Sequence, residues 1–171
     1  MAKRLKYLFF ILIFILVLAG LATWQFPWVQ AQLGLSTEED KALAYKSAEF
    51  ALKEGELWLS QQTTRPIAVK HCDHPPCLVW QRSSLPKNLS DQKNIWWETQ
   101  GRLPLKKMPT VTTQPRYVIE EKQFEPQTLD PDDLSKARGY AYYRLTAKGK
   151  GNSKSGESQS ILESIYAIKY N

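Results

Sequence analysis

Residues 7–37 form the longest stretch of the chain without a charged side chain, 31 consecutive positions between Lys6 and Glu38. Eleven of them, Leu8, Phe9, Phe10, Ile11, Leu12, Ile13, Phe14, Ile15, Leu16, Val17 and Leu18, make an unbroken apolar block. At about −0.5 kcal/mol each on the insertion scale, that block favours the bilayer by roughly 5 kcal/mol. The run exceeds the ~20 residues a helix needs to cross the hydrocarbon layer, where only a helix or a closed barrel satisfies its own backbone. It predicts a transmembrane helix over 7–30. Lys3, Arg4 and Lys6 precede it and the next cation is Lys41, which places residues 1–6 in the cytoplasm. Trp24 and Trp28 fall where the helix emerges, at a depth that suits indole rings. The rival reading is a cleaved secretory signal, with Val29-Gln30-Ala31 as the cut site. The apolar run is longer than the ~7–15 residues of such a signal, and both readings export the remainder of the chain.

The hydrophobic pattern then changes to that of a surface helix. Ser36 and Glu39 have capping-box spacing, and Glu38, Glu39 and Asp40 put negative charge on a first turn. No proline occurs from there to Gln62. Ala44, Ala48, Ala51, Leu52, Gly55 and Leu59 recur at three- and four-residue steps and mark one face, small at its centre and widening at Leu57, Trp58 and Leu59. Lys46, Glu49, Lys53 and Glu56 mark the other. Small residues let a helix approach a sheet closely. Residues 31–62 are therefore expected to continue the spine outside the membrane, with a bend permitted at Pro27 and Gly34.

Residues 63–171 read as a globular α+β head. Nine of the ten prolines lie between Pro66 and Pro131, which argues against long helices there. Short extended pieces are expected at 67–70 and 78–81, and Trp96 and Trp97 as packing residues or a partner-facing patch. Strand alternation appears over 116–123 and 140–149, with Tyr143, Leu145 and Ala147 opposite Tyr142, Arg144 and Thr146. A polar turn over 150–157 leads to a returning strand over 158–170. Helix first, loop-rich insert second and antiparallel meander last is an α+β order.

Charge and cysteine content narrow the compartment. The formal charge of +6 includes the three cations at the start, and no basic–aromatic interleaving suggests a nucleic acid partner. Cys72 and Cys77 are the two cysteines, and in an exported chain they read most simply as one disulfide closing a small loop. His71 and His74 lie beside them, so a tetrahedral zinc site and a redox pair are the alternatives. Four ligands within seven residues stiffened by Pro75-Pro76 are cramped for zinc, and redox dithiols favour a two-residue spacing. Asp130, Asp132 and Asp133 lack the glycine and glutamate of a calcium loop. The sequence contains no phosphate loop, no G-x-S-x-G and no H-E-x-x-H, and nominates no nucleophile, general base or cofactor.

Two blocks carry a resemblance. The run Ala44-Tyr45-Lys46-Ser47-Ala48-Glu49-Phe50-Ala51-Leu52-Lys53-Glu54-Gly55-Glu56 comes after a basic start and an apolar helix ending in Leu18-Ala19-Gly20-Leu21-Ala22. The tail Tyr143-Arg144-Leu145-Thr146-Ala147-Lys148-Gly149 leads through a loop to Leu162-Glu163-Ser164-Ile165-Tyr166. Together they resemble the PilX-type minor pilins of type IV pili over the anchor, the helix and the last third of the chain. The resemblance implies a pilin-like fold, with a long N-terminal helix packed on a C-terminal antiparallel sheet. It implies a non-enzymatic role priming fibre assembly at the bacterial inner membrane. The implied partners are other minor pilins and the major pilin, with a place at the pilus tip, sometimes beside an adhesin. One departure stands out: Lys3, Arg4, Leu5 and Lys6 offer no glycine for leader cleavage, and the apolar helix holds no glutamate. An uncleaved component of the priming complex is the expectation this departure raises. A type II secretion pseudopilin and a membrane-tethered binding or metal module centred on residues 71–77 are the other readings.

Overall fold

A computed structural model describes residues 38–128, 138–153 and 158–171. The anchor expected over 7–30, with Leu8 to Leu18 inside it, and the cap at Ser36 lie outside the described residues. Among those described, no helix is long and apolar enough to cross a membrane.

The surface helix runs Glu38–Ser60 (α1), proline-free and rich in Ala, Leu, Lys and Glu, the residues that lose least on entering a helix. Its three acidic residues in the first turn complement the positive end of the helix dipole. After it come β1 (Ala68–Val69), β2 (Val79–Trp80), a short 3-10 turn at Leu89–Asp91, and α2 (Asn94–Gln100). The last three elements are β3 (Arg116–Pro126), β4 (Gly139–Lys150) and β5 (Gln159–Tyr170). The strands form one sheet in the order β1-β2-β3-β4-β5. The fold is α+β.

The C-terminal meander is antiparallel as expected, and the two short extended pieces join it in parallel, so the whole sheet is mixed. β3–β4 and β4–β5 are antiparallel, whereas β1–β2 and β2–β3 are parallel. Residues 70–78 make the difference. They are long enough to carry the chain back to the end it started from, so β2 runs in the same direction as β1 rather than returning as a hairpin. Two-residue strands hold no alternation from which direction can be read.

Helix α1 covers one face of the sheet. Ala44, Ser47, Ala48, Ala51, Gly55 and Leu59 are buried against it. The close approach is two-sided. A Cβ on Gly149 of β4 would strike the Ala44 carbonyl and the Ala48 amide, and one on Gly55 would press on Leu145 and Tyr117. Leu52 is half-buried at the flank of the stripe. Leu57, expected to widen the apolar face, is 46% exposed, because at about 100° per residue it falls on the far side of the helix. The core beneath α1 contains Tyr117, Ile119, Tyr143, Leu145, Ala147 and Tyr170, the strand residues whose alternation points them that way.

The opposite face is also covered. Val118, Trp80, Leu85, Leu89 and Trp97 form a second core, with Cys72, Cys77, Trp96 and Ile161 packed on its margin. The proline-rich insert is thus a lid on the sheet. This explains why Thr146 and Lys148, on the polar side of β4, are buried.

Candidate assembly surfaces

At one end of the head three distant segments are tied together. Arg116 of β3 pairs with Lys148 of β4, and Lys150 pairs with Gln159 of β5, so these strand ends share a level. The first turn of α1 reaches the same level: one Asp40 oxygen accepts the backbone N–H groups of Asn152 at 2.6 Å and Ser153 at 3.0 Å. Asn152 passes the link on. Its amide oxygen accepts from the Thr112 N–H at 2.8 Å, and its amide nitrogen donates to the Thr110 carbonyl at 2.8 Å. The Ser158 hydroxyl, then smaller contributions from Ser153 and the loop amides, hold the Asp40 carboxyl below its usual range against a partial opposing effect of burial. Sequence reading placed Asp40 on a helix start but missed this loop contact, for which one sequence carries no signal.

On the insert side, Glu120 is 1% exposed and lies 2.7 Å from the Arg144 guanidinium. Its other oxygen accepts the Ser83 N–H at 2.7 Å, where Ser83 adopts φ 60°. A charge on β3 and one on β4 therefore hold a turn of the insert against the sheet. Trp97 donates its indole N–H to the Leu89 carbonyl at 3.3 Å, and the Lys148 ammonium stands 5.9 Å over its ring. Burial pushes Lys148 below its ordinary value, with Lys150 adding to the effect. Of the two tryptophans singled out, Trp97 is buried packing and Trp96 is half-buried, meeting it edge-on at 5.3 Å.

Cys72 and Cys77 form a disulfide that borders this second core. Both thiolates are consumed, which removes them as zinc ligands. Among the described residues no group of three His, Cys, Asp or Glu could hold a metal ion. A cleft of about 350 Å³ lies between Arg65, Pro66, Ile67, Ala68, Gln81 and Glu121. Its charges satisfy each other: Arg65 donates to both Glu121 oxygens, at 2.8 and 2.6 Å, and stacks 4.1 Å from the Phe124 ring. That bidentate pairing raises the Arg65 pKa and leaves the cleft no free charge for a ligand.

What the head offers outward is surface for contact. On α1, Tyr45 and Leu57 stand exposed among Lys41, Lys46 and Lys53, with Lys53 donating to Glu49 at 2.9 Å. Ile67 and Leu78 are exposed beside the cysteine loop, and Ile95, Leu103, Leu105 and Ile165 elsewhere. These apolar positions, not a pocket, are where another chain or a lipid layer can gain by covering the protein.

Residues 40–168 match the family described as type IV pilus assembly protein PilX, C-terminal part. Comparison with curated proteins and with solved structures found no match.

Proposed function

This chain belongs to the PilX family of type IV pilus assembly proteins, and from that premise we propose that it is a non-enzymatic minor pilin that helps prime the fibre. Membership ties it to the cell envelope and to other pilus components. The finer reading is that residues 7–30 anchor it in the inner membrane with residues 1–6 in the cytoplasm. There the apolar helix contacts neighbouring pilin helices, and the head contacts other minor pilins, with a final place at the pilus tip.

The observation that carries the reading is the family match, which runs from the first turn of α1 to two residues short of the end of β5. Two physical features support it. A segment apolar all round is as well solvated by neighbouring apolar helices as by lipid, so it can exchange one for the other. The head, for its part, presents scattered apolar contacts and a cleft whose charges are already paired, which suits docking more than turnover.

The test is genetic and biochemical. Deleting residues 1–35 is expected to abolish piliation, and the full-length chain is expected to co-purify from detergent with other pilus proteins. Normal pilus numbers in the deletion strain would remove the assembly role.

A further inference from the structure

The loop that leads into β3 combines features that a solvated connection does not need. Leu105 is 79% exposed and Leu103 is 50% exposed, while Pro104 between them is buried. Lys106 and Lys107 come next, both exposed and neither ion-paired among the described residues. The loop is held in place. Gln114 grips Met108 at both its N–H, 2.8 Å, and its carbonyl, 2.9 Å, and Asn152 fixes Thr110 and Thr112. Through Asn152 and Asp40 it stands at the end of the head where α1 begins and the apolar segment joins the chain.

We propose that residues 103–107 are a membrane-facing foot that sets Leu105 into the headgroup layer of an anionic lipid surface while Lys106 and Lys107 hold lipid phosphates. The inference rests on reading residues 7–30 as a membrane anchor. That reading leaves residues 31–37 as a tether of at most about 25 Å, so this end of the head cannot travel far from the bilayer. A tethered foot needs little intrinsic affinity, because the tether keeps its effective concentration high. Aliphatic side chains beside lysines are the composition that settles at a lipid interface, the one below the phosphates and the others level with them. In the acidic first turn of α1, Glu38 pairs with Lys41 at 2.8 Å and Asp40 faces the backbone N–H groups of the β4–β5 loop, so exposed Glu39 is the carboxylate that the lysines have to outweigh. Lys150, half-exposed at the same level, adds to the positive side.

The test uses the full-length chain in vesicles. Cys72 and Cys77 are bonded to each other, so Leu105→Cys supplies the thiol for an environment-sensitive fluorophore. In vesicles of equal parts phosphatidylcholine and phosphatidylglycerol, its emission is expected to shift to the blue and to be quenched by brominated lipid. The same label at Ile165→Cys, six residues along β5 from this end, is expected to report water. Lys106→Glu with Lys107→Glu is expected to reduce the lipid-contacting population at least about thirtyfold, and molar salt to act the same way. A water-like signal at position 105 while the chain still floats with the vesicles overturns the foot and leaves the anchor standing. An equal shift in pure phosphatidylcholine also overturns it, since phosphate recognition is then not involved. A chain that washes off the vesicles at alkaline pH defeats the anchor and the foot together.

Discussion

The carboxylate of Glu120 on β3 lies 2.7 Å from the guanidinium of Arg144 on β4, almost wholly shielded from water on the insert side of the sheet. With the Ser83 N–H on its second oxygen, this pair fastens the proline-rich insert to the strands. Removing one partner leaves a charge with little access to solvent. Glu120→Ala is expected to cost about 3 kcal/mol, at the lower end for buried pairs because Arg144 keeps some exposure. Replacing both, as Glu120→Met with Arg144→Leu, is expected to recover part of that loss, since the Ser83 N–H and the Lys122 ammonium at 3.6 Å still lose their acceptor. Chemical denaturation of the two variants checks it, and equal losses would show the pair is not coupled.

Gly149→Ala is a one-carbon change with a large expected effect. The new Cβ meets the backbone of α1 at Ala44 and Ala48, which cannot swing aside as a flexible side chain can. The helix has to lift off the sheet, at an expected cost of at least about 2 kcal/mol. A thermal melt that matches the parent would show that α1 does not lie this close.

Cys72→Ser opens the disulfide loop. With a sequence separation of 5, the chain-entropy model gives a loss of about 2 kcal/mol. The melting temperature is expected to fall, and adding reductant to the parent chain is expected to reproduce the fall without affecting the variant further.

Asp40 makes the head sensitive to acid. Its carboxyl is held below the ordinary value of 3.8, first by the Ser158 hydroxyl, so ionised Asp40 stabilises the folded head above that value. The contribution fades as pH falls from there through the lower folded value. Asp40→Asn is expected to be less stable than the parent near neutrality and to close the gap as pH drops below 3.8. Parallel stability curves across that range would show that the contact contributes nothing.

The elements of the head could be read because their periodicities are long. Helix α1 repeats small residues at three- and four-residue steps from Ala44 to Gly55, and the sequence of β4 and β5 alternates over 140–149 and 158–170. The extension of β3 to Pro126 was not visible, since the register shift between Glu121 and Gln123 breaks the alternation at that point. Strand direction in β1 and β2 was equally hidden, because two residues have no pattern. The insert's place on the second face depends on Val118 sharing a core with Trp80, Leu85, Leu89 and Trp97 and on Glu120 meeting Ser83, between segments tens of residues apart. Leu57 misled for a local reason: its neighbours Trp58 and Leu59 are apolar, but the helix turns it away from them.

The Asp40 contact also has a mechanical meaning. Any pull that arrives through the preceding chain enters the head at Glu38, and two residues later it meets a carboxylate holding the β4–β5 tip. The helix cannot be drawn off the strands one turn at a time from that end without first breaking this fastening. Traction is thus shared at once between α1 and the β4–β5 hairpin, because the fastening joins the first turn of the helix to the strand tip.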